Sequence, residues 1–199
     1  MFMENTAVVL IGFQNDYFAN DGILTGVVED TLESLDVLPN TLSLIREIPK
    51  DVEVISTPIV FSEDYRELVE PIGILKSIAD LGAFKQDTKG VEVIPEIEAF
   101  GDRIVTIEGK HGLNAFTDTD LEKYLREKGV QKIALAGCVC SICIDSTGRS
   151  AFDKGFDVIM LSDCITGRTI FEQEFYCKEV FPLYAKVMTS KEFIGEFNQ

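Results

Sequence analysis

Short apolar runs alternate along this chain with longer stretches in which apolar residues recur at helical spacing. The run TAVVLIG (6–12) is apolar on both faces, as a strand buried inside a parallel sheet should be. From about Asp30 to Ile48 the apolar residues recur every three or four positions, which predicts a helix with Pro39 as a site for a kink. This alternation is typical of βαβ units and a parallel sheet.

The rest of the chain continues the alternation. Five more apolar runs predict strands, at 52–57, 103–107, 132–137, 156–163 and 186–190. Helices are predicted around 68–81, 117–129, 143–154 and 170–180, the second with Thr117 or Thr119 as its N-cap and Gly129 as its stop. We therefore predict one α/β domain over residues 1–199, a doubly wound sheet with its site outside the carboxyl ends of the strands.

Composition and charge narrow the function classes. Apolar residues make up 46% of the 199 residues and charged residues 26%, the balance of an ordinary globular protein. The formal net charge is −16, with 34 acidic against 18 basic residues, which argues against a nucleic-acid partner. The N-terminal run lacks the basic region of a signal peptide, and no run approaches the roughly 20 apolar residues of a membrane span. We expect a cytoplasmic protein without a membrane partner.

The five cysteines do not suggest a disulfide framework, because their number is odd and the chain looks cytosolic. Cys140 and Cys143 have the C-x-x-C spacing of redox and zinc sites. A zinc site would need further soft ligands, and His111 is the only histidine. We therefore expect neither a metal nor another cofactor.

Cys143 is the candidate nucleophile. The strand at 132–137 runs into GCVCSIC and then a helix, which places Cys143 in the first helical turn. The aligned amides of that turn favour the thiolate, which is the nucleophilic form, and their N–H groups can hold an oxyanion. The alternative is a buried structural cysteine, which we prefer for Cys138, Cys140, Cys164 and Cys177.

Two other loops follow strands and face the same crevice. In EGKHGLNAF (108–116), Gly109 and Gly112 flank Lys110, which suits a tight loop that turns the lysine inward to stabilise a thiolate or to protonate a leaving group. The alternative is a surface lysine. In GFQNDYF (12–18), the polar groups follow the first strand, and Asn15 is expected to hydrogen-bond the turn.

Three ordered blocks together carry a family resemblance: AVVLIGFQNDYF, GKHGLNAFTDTDL and AGCVCSICIDSTGRSAFDKGFDVIMLSDC. Over nearly its whole length the chain resembles the isochorismatase-like cysteine hydrolases, a superfamily that includes nicotinamidases, carbamoylsarcosine amidases and biuret-type hydrolases. The resemblance implies a three-layer fold with a six-stranded, mostly parallel sheet and helices on both faces. It also implies homodimers or homotetramers, and a catalytic triad of aspartate, lysine and cysteine.

By this resemblance the nucleophile is Cys143 and the lysine is Lys110. The oxyanion hole would use the backbone N–H groups of Val139 and Cys143. The resemblance also implies a cis peptide bond between Cys138 and Val139, a non-proline form that is kept only where it is needed.

The aspartate of the triad is missing. Family members read D-x-Q-N-D-F or E-x-Q-N-E-F, and the first acid, the general base, corresponds here to Gly12. Three explanations compete. Asp16 supplies the carboxylate instead, the helix field and Lys110 hold a thiolate without a base, or the protein has lost hydrolysis and kept binding.

The residues around the expected pocket bear on the substrate. Nicotinamidases in the superfamily bind a metal through an Asp-x-His pair and a further histidine, but STPIVFSEDYREL (56–68) has no histidine, so a zinc-dependent nicotinamidase is not expected. Aromatic residues such as Phe61 and Phe116 suit core packing, and Arg168 either closes the pocket or anchors a neighbouring subunit. The predicted pocket residues are Phe18, Tyr65, His111 and Ile142.

Two functions remain. The leading one is a cysteine hydrolase that cleaves a C–N bond, an amide or a ureide, of a small-molecule substrate. The alternative is a catalytically impaired family member that binds a small molecule or assembles with a partner. A carboxylate within reach of Cys143 would favour the enzyme.

Overall fold

The computed structural model describes residues 5–198, with the side chain of residue 198 left out. Its six strands pair in the order β3-β2-β1-β4-β5-β6, and every pairing is parallel. The predicted α/β class and six-stranded sheet are confirmed. The strands are β1 (Thr6–Ile11), β2 (Glu53–Thr57), β3 (Val105–Thr106), β4 (Lys132–Gly137), β5 (Asp157–Ile165) and β6 (Lys186–Met188).

Helices cover both faces of the sheet, because successive residues of the central strands point to opposite sides and both sides are apolar. On one face pack α2 (Thr25–Ser34), α6 (Leu121–Glu127) and α7 (Asp145–Asp153), and on the other α3 (Val37–Glu47), α5 (Pro95–Glu98) and α9 (Ser190–Gly195). The remaining helices are α1 (Asn15–Phe18), α4 (Gly73–Leu81) and α8 (Ile170–Phe175). The result is the three-layer arrangement that the apolar runs predict.

The prediction of a single helix from about Asp30 to Ile48 was wrong. The structure has α2 and α3, separated at Asp36, whose φ of 50° is left-handed and ends the helical path. Pro39 lies in the first turn of α3, where its missing N–H would have had no helical partner, so it causes no kink.

Other boundaries also differ. The helix predicted from 68 begins at Gly73, and the one predicted from 117 begins at Leu121. Neither threonine is its N-cap, which is Asp120, although Thr119 Oγ1 accepts a hydrogen bond of 3.3 Å from the Leu121 N–H. The predicted strand at 103–107 has only two paired residues, because β3 lies at the edge of the sheet.

The centre of the sheet sets the position of the site. Ile11 at the end of β1 pairs with Thr57 of β2 on one side and with Gly137 of β4 on the other. The segments that follow these residues therefore leave the sheet side by side at its carboxyl edge. Among the described residues, no helix is long and apolar enough to cross a membrane.

Candidate active site

The turn after β4 presents Cys143. Cys140–Ile144 forms one π-helical turn before α7, and Val139 precedes it in an extended conformation. The peptide bond between Cys138 and Val139 is cis, as the resemblance implied. Cys143 is 4% exposed, so its thiol lies in a buried setting at the start of a helical run.

Backbone hydrogen bonds around this turn leave room for an oxyanion. The Val139 carbonyl accepts from the N–H groups of Ile142 (3.0 Å) and Ile144 (3.2 Å). Within the part of the chain that the structure describes, the Cys143 N–H does not bond this carbonyl, and the Val139 N–H has no backbone acceptor. Both are the groups predicted for the oxyanion hole.

Lys110 reaches the thiol from the loop after β3. Its backbone pairs with Ile59 beyond β2, and Gly109 before it has a φ of 96°, which favours glycine. The side chain is fully buried. Nζ lies 3.5 Å from Cys143 Sγ and also donates to the Gly112 carbonyl. The lysine nitrogen is therefore in contact with the sulfur of the candidate nucleophile.

Asp16 is engaged elsewhere. Its Oδ2 accepts a 2.6 Å hydrogen bond from the Phe84 N–H, and its Oδ1 lies 3.5 Å from the Ile23 N–H. Gly90 packs so closely that a Cβ there would lie 2.2 Å from Oδ1. No hydrogen bond or ion pair in residues 5–198 joins Asp16 to Lys110 or Cys143, so its carboxylate braces the surrounding loops.

The polar residues at the start of α1, Gln14 before it and Asn15 in it, also have structural partners. Gln14 holds both backbone groups of Ile59, since its side chain donates to the carbonyl and accepts from the N–H, each at 2.8 Å. Asn15 donates to the Lys89 carbonyl at 2.8 Å. Gln14 thereby fixes the segment against which Lys110 is placed.

Gly12, the position of the missing acid, packs directly against Cys138. Gly12 has a φ of 75°, and a Cβ on it would lie 2.8 Å from Cys138 Sγ and 3.2 Å from the Cys138 carbonyl oxygen. Burial raises the pKa of the Cys138 thiol well above its usual range, and the nearby Cys143 raises it further. Cys138 is therefore a protonated thiol that fills space beside Gly12.

The predicted pocket residues are not all in one place. Phe61 is fully buried, and around it lie the rings of Tyr65 (5.5 Å between centroids) and His111 (6.0 Å). Ile142 is half-buried in the turn of the nucleophile. Phe18 stacks at 4.9 Å on Phe13 of the core on the opposite face of the sheet, and it also packs against the core that contains Cys143.

The cysteines Cys140, Cys164 and Cys177 are also free. Burial raises the pKa of Cys164 to about 12 and of Cys177 to about 11, and it raises that of Cys140 further still. The Cys140 thiol contacts the Glu172 carboxylate at 3.8 Å. These thiols are poor nucleophiles, because little thiolate exists at neutral pH.

The loop after β2 carries buried apolar side chains, and the loop after β5 carries an arginine that is ion-paired. Ile59 and Phe61 follow β2 at 3% and 0% exposure, and no group of three His, Cys, Asp or Glu residues in the described chain is arranged to hold a metal ion. Two guanidinium nitrogens of Arg168 donate to Oε1 of Glu172, Nε at 2.8 Å and Nη2 at 2.5 Å. This pair fixes the start of α8.

Sequence reasoning missed Tyr17. The residue is 2% exposed, and its ring lies 3.5 Å from where a Cβ on Gly12 would be. Burial raises the pKa of Tyr17 well above its usual range, with further contributions from Cys138, Cys143 and Asp16. The sequence does contain a signal for this residue: in QNDYF, Tyr17 stands at the position where the family pattern has phenylalanine.

Comparisons with known proteins agree with this geometry. The family model of the isochorismatase domain matches residues 6–192. The chain belongs to the isochorismatase family. The isochorismatase family protein YwoC of Bacillus subtilis is 30% identical over 194 residues, which cover 97% of this chain and 94% of that protein. Nicotinamidase 3 of Arabidopsis thaliana is 27% identical over 54% of each chain.

Solved structures of the family share the fold. A cysteine hydrolase from Pseudomonas syringae pv. phaseolicola superposes with a TM-score of 0.83 at 21% identity, covering 98% of this chain and 92% of that one. The N-carbamoylsarcosine amidase of Thermoplasma acidophilum superposes with a TM-score of 0.72 at 21% identity, covering 94% and 96%. This isochorismatase-family chain therefore has the family's fold throughout.

Proposed function

We propose that this isochorismatase-family protein is a cysteine hydrolase that cleaves a C–N bond of a small amide or ureide, with Cys143 as the nucleophile. The observation that carries the proposal is the 3.5 Å contact between Lys110 Nζ and Cys143 Sγ in a buried site. A fully buried lysine is rare unless it is paired, and Cys143 Sγ is the contacting group of this lysine that can carry a negative charge. Relatives named as a nicotinamidase and an N-carbamoylsarcosine amidase support an amide or ureide as substrate.

The chemistry follows from the placement of the groups. The Cys143 thiolate attacks the carbonyl carbon, and the N–H groups of Val139 and Cys143 stabilise the resulting oxyanion. The Lys110 ammonium donates a proton to the departing nitrogen, which leaves as the amine and breaks the C–N bond. Water then hydrolyses the thioester, releases the acid and returns the proton to the site. None of these steps requires a metal or another cofactor.

Because position 12 carries no carboxylate, the proposed thiolate of Cys143 has to form in another way. Asp16 is engaged by the Phe84 N–H, and Gly12 has no side chain. The proposal therefore assigns the thiolate to Lys110 and to the field of the helical turn. A base-free thiolate predicts slow turnover, because the group that would shuttle the proton in one step is absent.

A second candidate is a binding protein without turnover. The close packing of Cys138 against Gly12 favours it, since the space of an acid has been filled rather than left empty. In that case Cys143 would retain its thiolate but no amide would be cleaved.

Two measurements test the proposal. Wild-type protein is alkylated with iodoacetamide across a pH series, and ammonia release is followed with nicotinamide, N-carbamoylsarcosine and small aliphatic amides. We expect Cys143 to react faster near neutral pH than a free thiol, and Lys110→Met to remove this excess, because the lysine nitrogen beside the sulfur stabilises the negative charge of the reacting form. Lys123→Met, on helix α6 and remote from the site, is the matched control.

The outcomes separate the two candidates. Ammonia release that Cys143→Ser abolishes supports the hydrolase. Fast alkylation without any release from the amide panel supports the binding protein. Alkylation no faster than that of a free thiol contradicts an activated Cys143 in both.

We also propose that the protein acts in the cytoplasm as a homodimer or homotetramer. Exposed apolar side chains on α8 support self-association: Phe171 and Phe175 stack at 6.1 Å and are 78% and 46% exposed. Single exposed apolar residues are common, whereas an adjacent stacked pair offers a larger apolar area for a partner to cover, which supports the proposal.

A further inference from the structure

Thr166 lies between the end of β4 and the π-helical turn that carries the nucleophile. It follows β5 directly, and its N–H donates to the Gly137 carbonyl at 2.9 Å, while its carbonyl accepts from the Cys140 N–H at 2.7 Å. These two hydrogen bonds hold Thr166 against both ends of the short segment 138–139. That segment carries the Val139 N–H, one of the two groups proposed for the oxyanion hole.

The Thr166 hydroxyl is buried without a hydrogen-bond partner. Thr166 is 0% exposed, and among the described residues its Oγ1 is one of two buried side-chain polar atoms that form no hydrogen bond. The other atom is Oγ of Ser141, which lies beside the Glu172 carboxylate: burial acts to raise the pKa of Glu172, and Ser141 is among the groups that lower it. An unpaired buried polar group destabilises the fold, so at a site it indicates contact with a bound molecule.

The group beside the Thr166 hydroxyl is a poor hydrogen-bond acceptor. Burial raises the pKa of the Cys138 thiol, as does Cys143, whereas the nearby Thr166 hydroxyl acts to lower it. The thiol itself is directed at the Gly12 carbonyl, with Sγ 3.3 Å from the oxygen. Because sulfur accepts hydrogen bonds only weakly, Cys138 does not satisfy the hydroxyl. The hydroxyl is therefore available to a molecule bound beside this segment.

We infer that the Thr166 hydroxyl is a third donor of the oxyanion hole, which hydrogen-bonds the oxygen that becomes negative when Cys143 attacks a carbonyl carbon. The inference rests on the proposed function for the role of Cys143, and it adds a side chain to the two backbone N–H groups. Since the hydroxyl has no partner in the free protein, no hydrogen bond has to break before it reaches the oxyanion. This donor also works without an acid at Gly12, because it stabilises charge and transfers no proton.

Two thiol reagents separate stabilisation of an oxyanion from access to the sulfur. With p-nitrophenyl acetate, the Cys143 thiolate adds to the carbonyl carbon, the oxygen takes the charge, and p-nitrophenolate leaves as the thioester forms. Allyl bromide alkylates the same sulfur by loss of bromide and forms no oxyanion. We expect Thr166→Val to slow acylation about a hundredfold, the usual effect of losing one oxyanion-hole donor, and to leave alkylation unchanged. Intact-protein mass spectrometry measures both rates, with Cys143→Ser as the background.

Thermal stability gives an independent measurement. Because the hydroxyl has no partner, Thr166→Val should keep or raise the Tm, whereas the loss of a hydroxyl that holds the fold together would lower it. Thr166→Ser retains a hydroxyl and should retain most of the acylation rate. Thr41→Val is the matched control, because the Thr41 hydroxyl is equally buried but donates to the Val37 carbonyl within α3, on the other face of the sheet from Cys143. It should change neither rate.

Several outcomes would overturn the inference. Equal acylation rates for wild type and Thr166→Val would show that the hydroxyl does not contact the oxyanion. Equal slowing with both reagents, or a lower Tm, would indicate a structural role. Alkylation of wild-type Cys143 without any acylation would show that no oxyanion is stabilised there.

The proposed hydrolase can fail separately. Acylation that depends on Thr166, together with no ammonia release from any amide, would reject the hydrolase and keep the hydroxyl in the oxyanion hole. Amide cleavage that Thr166→Val leaves unchanged, in both kcat and KM, would keep the hydrolase and reject the inference.

Discussion

At the scale of single residues, the site differs from an aspartate-lysine-cysteine triad at two linked positions. Gly12 lacks the side chain, and Cys138 extends its sulfur to within 2.8 Å of where a Cβ would be. A side chain at position 12 would therefore meet both a left-handed backbone and the Cys138 thiol. The two positions are therefore coupled: a side chain added at position 12 clashes with the sulfur unless Cys138 is also replaced.

This pairing makes a double substitution more informative than a single one. We expect Gly12→Asp alone to lower the Tm by several degrees without adding activity, because a left-handed non-glycine residue costs about 1–2 kcal/mol and the thiol blocks its side chain. Cys138→Ala combined with Gly12→Asp removes the obstruction and should recover part of the stability. Thermal unfolding of both single variants and the double variant measures the coupling.

The same series reports on the chemistry. Ammonia release by the double variant that exceeds that of wild type and of Cys138→Ala would show that the acid alone was limiting. Strictly additive losses in Tm, with the double variant no more stable than the sum of the single variants predicts, would contradict the pairing of Gly12 with Cys138.

At the scale of elements, the sequence predicted the central strands and the two loops that carry Cys143 and Lys110. Strands β1 and β4 are fully apolar runs in the middle of a parallel sheet, where burial on both faces leaves little choice of residue. The break at Asp36 was missed, because the apolar spacing continues across it. The sequence left the role of Asp16 open, because the N–H group that its carboxylate binds belongs to Phe84, 68 residues away along the chain.

The start of α8 gives a prediction about acid stability. Burial acts to raise the pKa of Glu172, but hydrogen bonds from Arg168 outweigh it and the net direction is down. The carboxylate accepts from the Arg168 N–H at 2.7 Å, and the same loop holds the Cys140 N–H through the Thr166 carbonyl. A lowered pKa in the folded state means that Glu172 stabilises the fold above its usual pKa. This contribution disappears as the pH falls through the lower value.

Glu172→Gln should therefore lower the Tm at about pH 7 and make it less sensitive to acid than in wild type, where the Tm falls further below about pH 4. Asp80→Asn, at an exposed ion pair with Lys76, is the matched control and should change little. Differential scanning calorimetry over this range measures both variants. Parallel Tm curves for wild type and Glu172→Gln would contradict the assignment.

At the scale of the whole molecule, net charge and exposed apolar surface have opposite effects on self-association. A net charge of −16 makes two copies of the chain repel, so self-association needs apolar contact to offset the repulsion. Phe171 and Phe175 on α8 are the exposed, stacked pair that we propose for this contact. Because salt screens the repulsion and leaves apolar contact intact, we expect the oligomer fraction to rise with ionic strength.

Phe171→Asp should shift the protein toward monomer in light scattering, since it puts a charge in the centre of the proposed contact and leaves the core untouched. Ile72→Asp is the matched control, because Ile72 is 82% exposed but lies in the loop before α4. If both variants keep the mass of wild type, α8 is not the interface. If salt dissociates the oligomer instead, ion pairs hold it together. That result would contradict an apolar contact through the stacked phenylalanines.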